Sequence, residues 1–370
     1  MERIAVIMGK MHSGGKKNLV MEYYRNIDRS QIQFDFICDS DSNAIPKDEI
    51  EQLGGRVFEV APYSNIIQNM KDMDLIFKKE NYKIVHAYNG TMNLFPMFAA
   101  YKNRIPVRIS ESISMAHEAD KKTIIKNILK PFSKMFATHF MANGEACGRY
   151  QFGKKLFDEG KVAVFKTVID TEKNQFDLEV RKNTRQNLGI EDDILLFGHI
   201  GRLTEQKNTL FLIDIFYEIL KIEPKAKLLI IGDGNLRSEM LKRIEEYRIK
   251  DSILYLGRRE DIQQFYNAMD AFLLPSLYEG LPVVGVEAQD CGLPVFFSTE
   301  IPKESSVCDD LGFFISLKRS AKQWAEYVVL RTKKAKINRR GRKSVLLKRG
   351  FDSKTESVKL AKYYTNLSQR

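Results

Sequence analysis

The sequence predicts an α/β protein of two doubly wound, Rossmann-like domains facing each other across a cleft. Three observations predict it. Short runs rich in Val, Ile and Phe alternate with helix-patterned stretches along most of the chain, and that alternation specifies parallel sheets with right-handed crossovers. The alternation pauses in a polar segment at 170–187 and then restarts. The chain has 370 residues, enough for two cores of ordinary size.

The first series of predicted strands is 3–8, 34–38, 56–60, 83–88, 107–110 and 139–142, followed by 162–166. Amphipathic stretches lie between them, among them 65–79 and 123–136. The second series is 194–200, 227–231, 253–256, 271–274 and 294–297. The predicted boundaries are therefore 1–168 for the first domain and 169–350 for the second. Residues 351–370 read as a closing helix that packs back on the first domain. In open α/β sheets ligands sit beyond the carboxyl ends of the strands, so the loops after these strands hold the candidate site.

Composition narrows the class. Hydrophobic residues make up 44% and charged residues 29%, as in a folded globular protein rather than a disordered one. Apolar runs such as 253–256 and 271–274 are strand-sized and too short to cross a bilayer. The apolar run at 4–8 is too short for a signal peptide. Cys38, Cys147, Cys291 and Cys308 show no paired spacing, which predicts reduced thiols in the cytoplasm and no zinc site. The net charge of +11 calls for an anionic partner.

Two glycine-containing turns follow first strands. In the first domain, MGKMHSGGKKN spans 8–18. A P-loop needs Gly-Lys-Ser/Thr four residues after its first glycine. Counted from Gly9 the spacing is one residue too long, and Lys17 and Asn18 follow Lys16 where the hydroxyl belongs. What remains is Gly14-Gly15 before a helix starting near Asn18, a geometry that suits an anion and equally an ordinary βα turn. In the second domain, GHIGRLTEQKN spans 198–208 and places Gly201, Arg202 and Lys207 in one loop. Arg offers a bidentate fork and Lys a compact charge, a pairing suited to a diphosphate.

The segment PSLYEGLPVVGVEAQDCGLPV, 275–295, carries the most chemistry. Glu279 falls in the turn after a strand, and Glu287 lies eight positions later on a helix that Pro282 can start. The amides of Gly280, Leu281, Val283 and Val284 are donors at the same place. Carboxylates for hydroxyls, beside amides and cations for phosphates, describe a sugar-nucleotide site. Two surface glutamates on a loop remain the plain alternative.

On these residues the chain resembles the retaining GT-B-fold glycosyltransferases of family four, in particular those of capsule and exopolysaccharide synthesis. The resemblance is carried by the Glu279 and Glu287 pair and by the Gly201, Arg202 and Lys207 loop. LLIIGDGNLR at 228–237, which contains Gly232 and Gly234, and the stretch from Gly14 to residue 36 also match. It implies that Glu287 binds ribose hydroxyls and that Glu279, with Gly280 and Leu281, holds the donor sugar. It implies that Arg202 and Lys207 meet the leaving diphosphate, and that Gly14 and Gly15 let the first, acceptor-side domain approach the sugar-phosphate. The implied donor is a UDP-sugar and no metal is required. The implied acceptor is a lipid-linked or growing glycan at an anionic membrane surface on the cytoplasmic side, and nucleic acid is excluded. Two other readings stay open: a non-catalytic partner subunit, and a GT-B sugar-nucleotide epimerase.

The match has gaps. Glu111 and Ile113 stand where capsule-type members tend to carry histidines, so Glu111, or the nearby His117, is a candidate for the missing polar role. Lys16-Lys17 replaces the family's Ala-Glu and is expected to add charge beside the donor. Asp39-Ser40-Asp41 imitates the metal-binding acids of another transferase fold and reads as a solvated loop. Two basic stretches, 121–134 and 331–349, read as membrane-surface segments. The second contains ten Lys and Arg and no acid.

Overall fold

The computed structural model describes residues 1–12, 14–113, 127–335 and 339–369. The chain divides into two compact units, Met1–Ile169 with Gly350–Arg370, and Asp170–Arg349. Each is built on one parallel sheet with helices on both faces.

The first sheet contains β1 (Glu2–Gly9), β2 (Ile32–Asp39), β3 (Arg56–Val60), β4 (Ile84–Ala87), β5 (Val107–Ser112), β6 (His139–Ala142) and β7 (Val162–Val164). Their spatial order is β3-β2-β1-β4-β5-β6-β7. The second contains β8 (Leu196–Ile200), β9 (Lys227–Ile231), β10 (Ile253–Tyr255), β11 (Ala271–Leu274), β12 (Val295–Ser298) and β13 (Gly312–Ile315). It runs β10-β9-β8-β11-β12-β13. In both, winding reverses beside the first strand, so the switch points lie between β1 and β4 and between β8 and β11.

Burial on both faces explains why the strands read as continuous apolar runs. Along β1, Ile4, Val6 and Met8 pack with Phe34 and Phe36 on one side. Ala5 and Ile7 meet Met73, Phe77 and Met97 on the other. The second sheet repeats this, with Phe197, Leu228 and Ile230 on one face and Leu196, Leu229 and Phe272 on the other.

The chain returns to the first unit through a short parallel pairing of Ile169 with Asp352. Asp352 caps the helix Ser353–Ser368 by accepting from the Thr355 amide at 2.9 Å. That helix buries Leu360, Tyr364 and Leu367 in the first unit's core, beside the helix Gly15–Asn26.

Two elements escaped the sequence pattern. One is the edge strand β13, whose Gly312 opens a run of only four residues. The other is a helix, Leu178–Asn187, inside the segment expected to be merely polar. Its polarity misleads because two of its arginines are inward-facing. Arg181 pairs with the buried Asp270 at 2.6 Å, and Arg185, 1% exposed, donates to the carbonyls of Ala268, Glu191 and Ile194.

In the second unit, glycines let the loop after β9 lie against the loop after β8. A Cβ on Gly232 would fall 1.8 Å from the Gly201 carbonyl oxygen, and one on Gly234 would fall 2.2 Å from that of Leu203. Here the glycines permit backbone to pack on backbone. Gly234→Ala is therefore expected to cost about 2 kcal/mol or more, as overpacking against immovable main chain does. Denaturant unfolding checks this, and an unchanged midpoint would refute the packing role.

Candidate functional site

The candidate site in the second unit is made by the two loops that leave β8 and β11, the neighbouring strands of that sheet's switch point. They are stitched together by hydrogen bonds. The Leu277 amide donates to the Gln206 carbonyl at 2.8 Å. Asn208 Nδ2 donates to the Pro275 carbonyl at 3.1 Å, and Gln206 Nε2 to that of Tyr278 at 3.1 Å. At the centre Lys207 Nζ meets Glu279 Oε1 at 2.5 Å, with each side chain about one-tenth exposed (11% and 10%). The two residues singled out separately in the sequence thus form one ion pair. Arg202 is exposed on the same loop, with a guanidinium nitrogen donating to Gln206 Oε1 at 3.1 Å.

Glu287 sits on the helix Val283–Asp290, which begins after Pro282. First-turn amides of a helix have no partner within the helix, so Val283 and Val284 place donors beside the Glu279 turn. Glu287 Oε2 accepts from Tyr266 Oη at 2.7 Å. Burial and the neighbouring carboxylate raise the Tyr266 pKa far above the usual phenol value, so it donates at any physiological pH. Sequence reasoning missed Tyr266, because nothing in its local pattern separates it from a core tyrosine.

His199, also missed, lies in β8, fully buried. Its Nδ1 is 2.9 Å from the Leu273 carbonyl, which can only accept, so Nδ1 carries the proton. Burial, together with the Lys207 charge, lowers its pKa to about 4. The unprotonated Nε2 has no protein partner and lies near Gly201, at the point where a Cβ there would also meet Lys207. Nearby positive charge is thus carried by Lys207 and Arg202 and not by the imidazole.

In the first unit, Gly14 and Gly15 are exposed at the start of the helix Gly15–Asn26, Gly14 being its N-cap. The helix begins three residues before the expected Asn18. Lys16 corrects a second expectation. Its ammonium turns inward, donating to the Met8 carbonyl and, at 2.9 Å, to Asn89 Oδ1. Burial lowers its pKa to about 8. Asn89 in turn donates to the Ile7 carbonyl and to Tyr63 Oη. Lys16 therefore ties the loop after β1 to the loop after β4 at the first switch point. Gly9 shares that contact: it has φ +56°, and a Cβ there would lie 2.8 Å from Asn89 Oδ1.

Glu111 is buried at the carboxyl end of β5. Its Oε2 lies 2.9 Å from His86 Nε2, without hydrogen-bond geometry. His86 Nδ1 is 2.7 Å from Tyr364 Oη of the last helix and 3.2 Å from Tyr88 Oη. His117 lies outside the described residues. The Asp39 reading needs correction as well. Ser40 and Asp41 are exposed, but Asp39 closes β2 at 1% exposure, within reach of Asn69 and the Tyr63 amide. Burial raises its pKa to about 6.

The basic stretch 331–349 is not a free polybasic run. Arg331 covers the rings of Phe313 and Tyr327, and Lys333 pairs with Glu223. Arg339 stacks on Phe176 and donates to the carbonyls of Tyr266, Asn267, Met269 and Cys291. Arg342, Lys343 and Arg349 pair with Asp310, Glu172 and Asp309. Among the described residues no three His, Cys, Asp or Glu side chains assemble into a metal-binding group, and no helix is long and apolar enough to cross a membrane.

Comparison with known proteins adds to this geometry. Residues 180–343 match the family described as "Glycosyl transferases group 1". EpsF of Bacillus subtilis (strain 168), a protein named as a glycosyltransferase, is 29% identical over 98% of this chain and 96% of its own length. The Escherichia coli UDP-Gal:alpha-D-GlcNAc-diphosphoundecaprenol alpha-1,3-galactosyltransferase is 26% identical over 82% of this chain and 81% of its own. Among solved structures, Anabaena Alr3699/HepE in complex with UDP-glucose superposes with a TM-score of 0.78 at 18% identity, covering 99% of this chain and 100% of that one.

Two measurements test the geometry. Removing one partner of a nearly buried ion pair costs about 3–5 kcal/mol, so Lys207→Met and Glu279→Gln should each destabilise by roughly 3 kcal/mol. The double variant should lose much less than their sum. Additive losses in that cycle would mean that the pair is not coupled. For His199, the imidazole stays neutral down to about pH 4 in the native state but protonates near 6.5 when unfolded. The unfolded state therefore binds the extra proton between those values, and native stability falls as pH drops from 6.5 towards 4. The stability gap between wild type and His199→Asn should shrink by about 2 kcal/mol from pH 7 to pH 5. A constant gap would show that His199 is not held neutral.

Proposed function

We propose that this chain, whose residues 180–343 match the group 1 glycosyl transferases, moves a hexosyl or hexosaminyl residue from a UDP-linked donor to a lipid-linked glycan, with retention of configuration, in capsular or exopolysaccharide assembly. The observation that carries the reading is the Lys207–Glu279 pair, which brings a cation for phosphate and a carboxylate for hydroxyls to one point of the β8–β11 switch. The names of the E. coli and Anabaena proteins point to the same donor class, and the E. coli name to a polyprenyl-diphosphate acceptor.

On this reading each residue has a role. Glu287, its Oε2 already held by Tyr266, takes the ribose hydroxyls. Glu279 takes hydroxyls of the donor sugar, with the Gly280 and Leu281 backbone beside it. Lys207 and Arg202 face the diphosphate, and the first-turn amides of Val283 and Val284 add donors. Gly201, Gly232 and Gly234 shape the loops that carry these groups. When the glycosidic bond breaks, negative charge grows on the leaving oxygen while the sugar becomes oxocarbenium-like. Cations fixed in advance stabilise that change without reorganising, and about 1.4 kcal/mol of selective stabilisation is worth tenfold in rate. Because Arg and Lys supply this charge, the reading requires no metal. The leaving diphosphate assists deprotonation of the acceptor hydroxyl on the same face.

In the first unit, Gly14 and Gly15 leave the helix start exposed, which supports a role toward an anionic group. For Glu111 the supporting feature is its neighbour His86, which gives the carboxyl edge of that sheet an imidazole–carboxylate pair. We place the enzyme at the cytoplasmic face of the membrane, peripherally bound, where such an acceptor is available.

Calorimetric titration of UDP and of GDP into wild type and Glu287→Ala tests the assignment. UDP should bind in preference to GDP, and the variant should bind UDP at least ~30-fold more weakly, as loss of charge-assisted hydroxyl bonds implies. Failure of both nucleotides to bind, or an unaffected variant, would overturn it. The anomeric configuration of the product, read by NMR with a UDP-sugar panel, tests retention.

A further inference from the structure

We infer that the amino-terminal edge of the first sheet is a docking surface for the anionic face of a lipid bilayer. This deepens the lipid-acceptor reading and rests on it for its setting, but the observations that carry it are separate.

Because the sheet is parallel, the segments that precede β5 and β6 reach the same edge, away from the carboxyl ends. Large apolar side chains stand exposed there: Phe98 and Tyr101 on the helix Leu94–Lys102, and Ile128, Phe132 and Met135 before β6, at 37%, 54%, 62%, 48% and 60% exposure. Phe136 joins the two groups, its ring 4.9 Å from that of Phe98 and 5.4 Å from that of Tyr101. Arg108 fixes the junction by donating to the Phe136 carbonyl at 2.6 Å while covering the Tyr101 ring. The Lys130–Phe132 turn projects Phe132, and Met135 follows one turn on, its amide bonded to the Phe132 carbonyl.

Cations frame these side chains. Lys130 and Lys134 line one groove of about 380 Å³. Tyr101, Lys102, Arg104 and Arg108 line another of about 350 Å³. Asp74 pairs with Lys102. Among the described residues between 98 and 136, the one carboxylate is Glu111, which is buried. Exposed aliphatic and aromatic groups set among lysines and arginines match the layered chemistry of a bilayer surface, apolar side chains entering below the headgroups and cations meeting lipid phosphates. Nucleic acid would leave the outermost residues, Ile128 and Met135, without stacking partners. The stretch 331–349, more basic in sequence, has Lys333, Arg342, Lys343 and Arg349 neutralised by carboxylates of its own unit, whereas among the described cations of the edge Lys102 is the one paired with a carboxylate.

The test is sedimentation of the full chain with phosphatidylcholine vesicles, with and without phosphatidylglycerol. Wild type should bind the phosphatidylglycerol vesicles and release at high salt. Phe132→Ser with Met135→Ser, and separately Lys130→Glu with Lys134→Glu, should each weaken binding about tenfold or more, with melting and UDP affinity unchanged. Arg340→Glu with Lys348→Glu should bind as wild type does. The surface is overturned if wild type ignores anionic vesicles, if both variant pairs bind normally, or if only the Arg340/Lys348 pair loses binding. Sugar transfer without vesicle binding would sink the surface and leave the transfer reading standing. Vesicle binding through this face without transfer would do the reverse.

Discussion

The second unit is organised around one electrostatic contact, the nearly buried ion pair between Lys207 and Glu279. Parallel sheets open a crevice where their winding reverses, but a crevice has no chemistry until the loops on its two sides are held in register. The pair does that holding. It takes one residue from the loop after β8 and one from the loop after β11, and both lie far enough from water for their attraction to outweigh screening. Its partners are arranged around it: Gln206 reaches both Arg202 and Tyr278, and Gly201 leaves room for the lysine stem. On the proposed reading, substrate phosphate and sugar hydroxyls would compete for groups already aligned.

The first unit solves the same problem with different chemistry. Its switch-point loops, after β1 and β4, are joined by Lys16 reaching Met8 and Asn89. Here the cation is spent internally on neutral acceptors, and burial lowers its pKa to about 8. That residue explains why a lysine beside a glycine pair need not grip an anion. The feature left open at this loop is the helix start at Gly14 and Gly15.

The fold was legible because buried parallel strands need continuous apolar runs, and those runs ended at nearly the right residues: 56–60, 139–142, 227–231 and 271–274 coincide with β3, β6, β9 and β11. The chain failed to announce elements whose burial is achieved by polar groups. Arg181 and Arg185 make the helix Leu178–Asn187 look like a linker, although both are turned inward to Asp270 and to carbonyls. Motif spacing singled out Arg202, Lys207, Glu279 and Glu287 as candidates, and the fold pairs two of them, Lys207 and Glu279. Spacing could not show Tyr266 or His199, whose contacts with Glu287 and the Gly201 loop exist only in three dimensions. Asp39 was misjudged for the same reason, since an acid at a strand end looks solvated until the neighbours that bury it are known.

Charge was the property least readable from the chain, and the two basic stretches show why. A run of ten cations without an acid ought to be the more attractive to anions, yet distant acids in the same unit answer it: Glu223 for Lys333, Asp310 for Arg342, Glu172 for Lys343 and Asp309 for Arg349. Arg339 goes further and serves as a buried donor for four carbonyls. The edge before β5 and β6 has fewer cations, but among its described residues Lys102 is the one paired with an acid, Asp74, and they stand beside apolar groups that folding leaves exposed. Attraction to a surface depends on the charge left over after internal pairing and on whether apolar area is exposed next to it. Both are properties of the folded unit, so a net charge of +11 becomes informative about partners only once each cation has been placed.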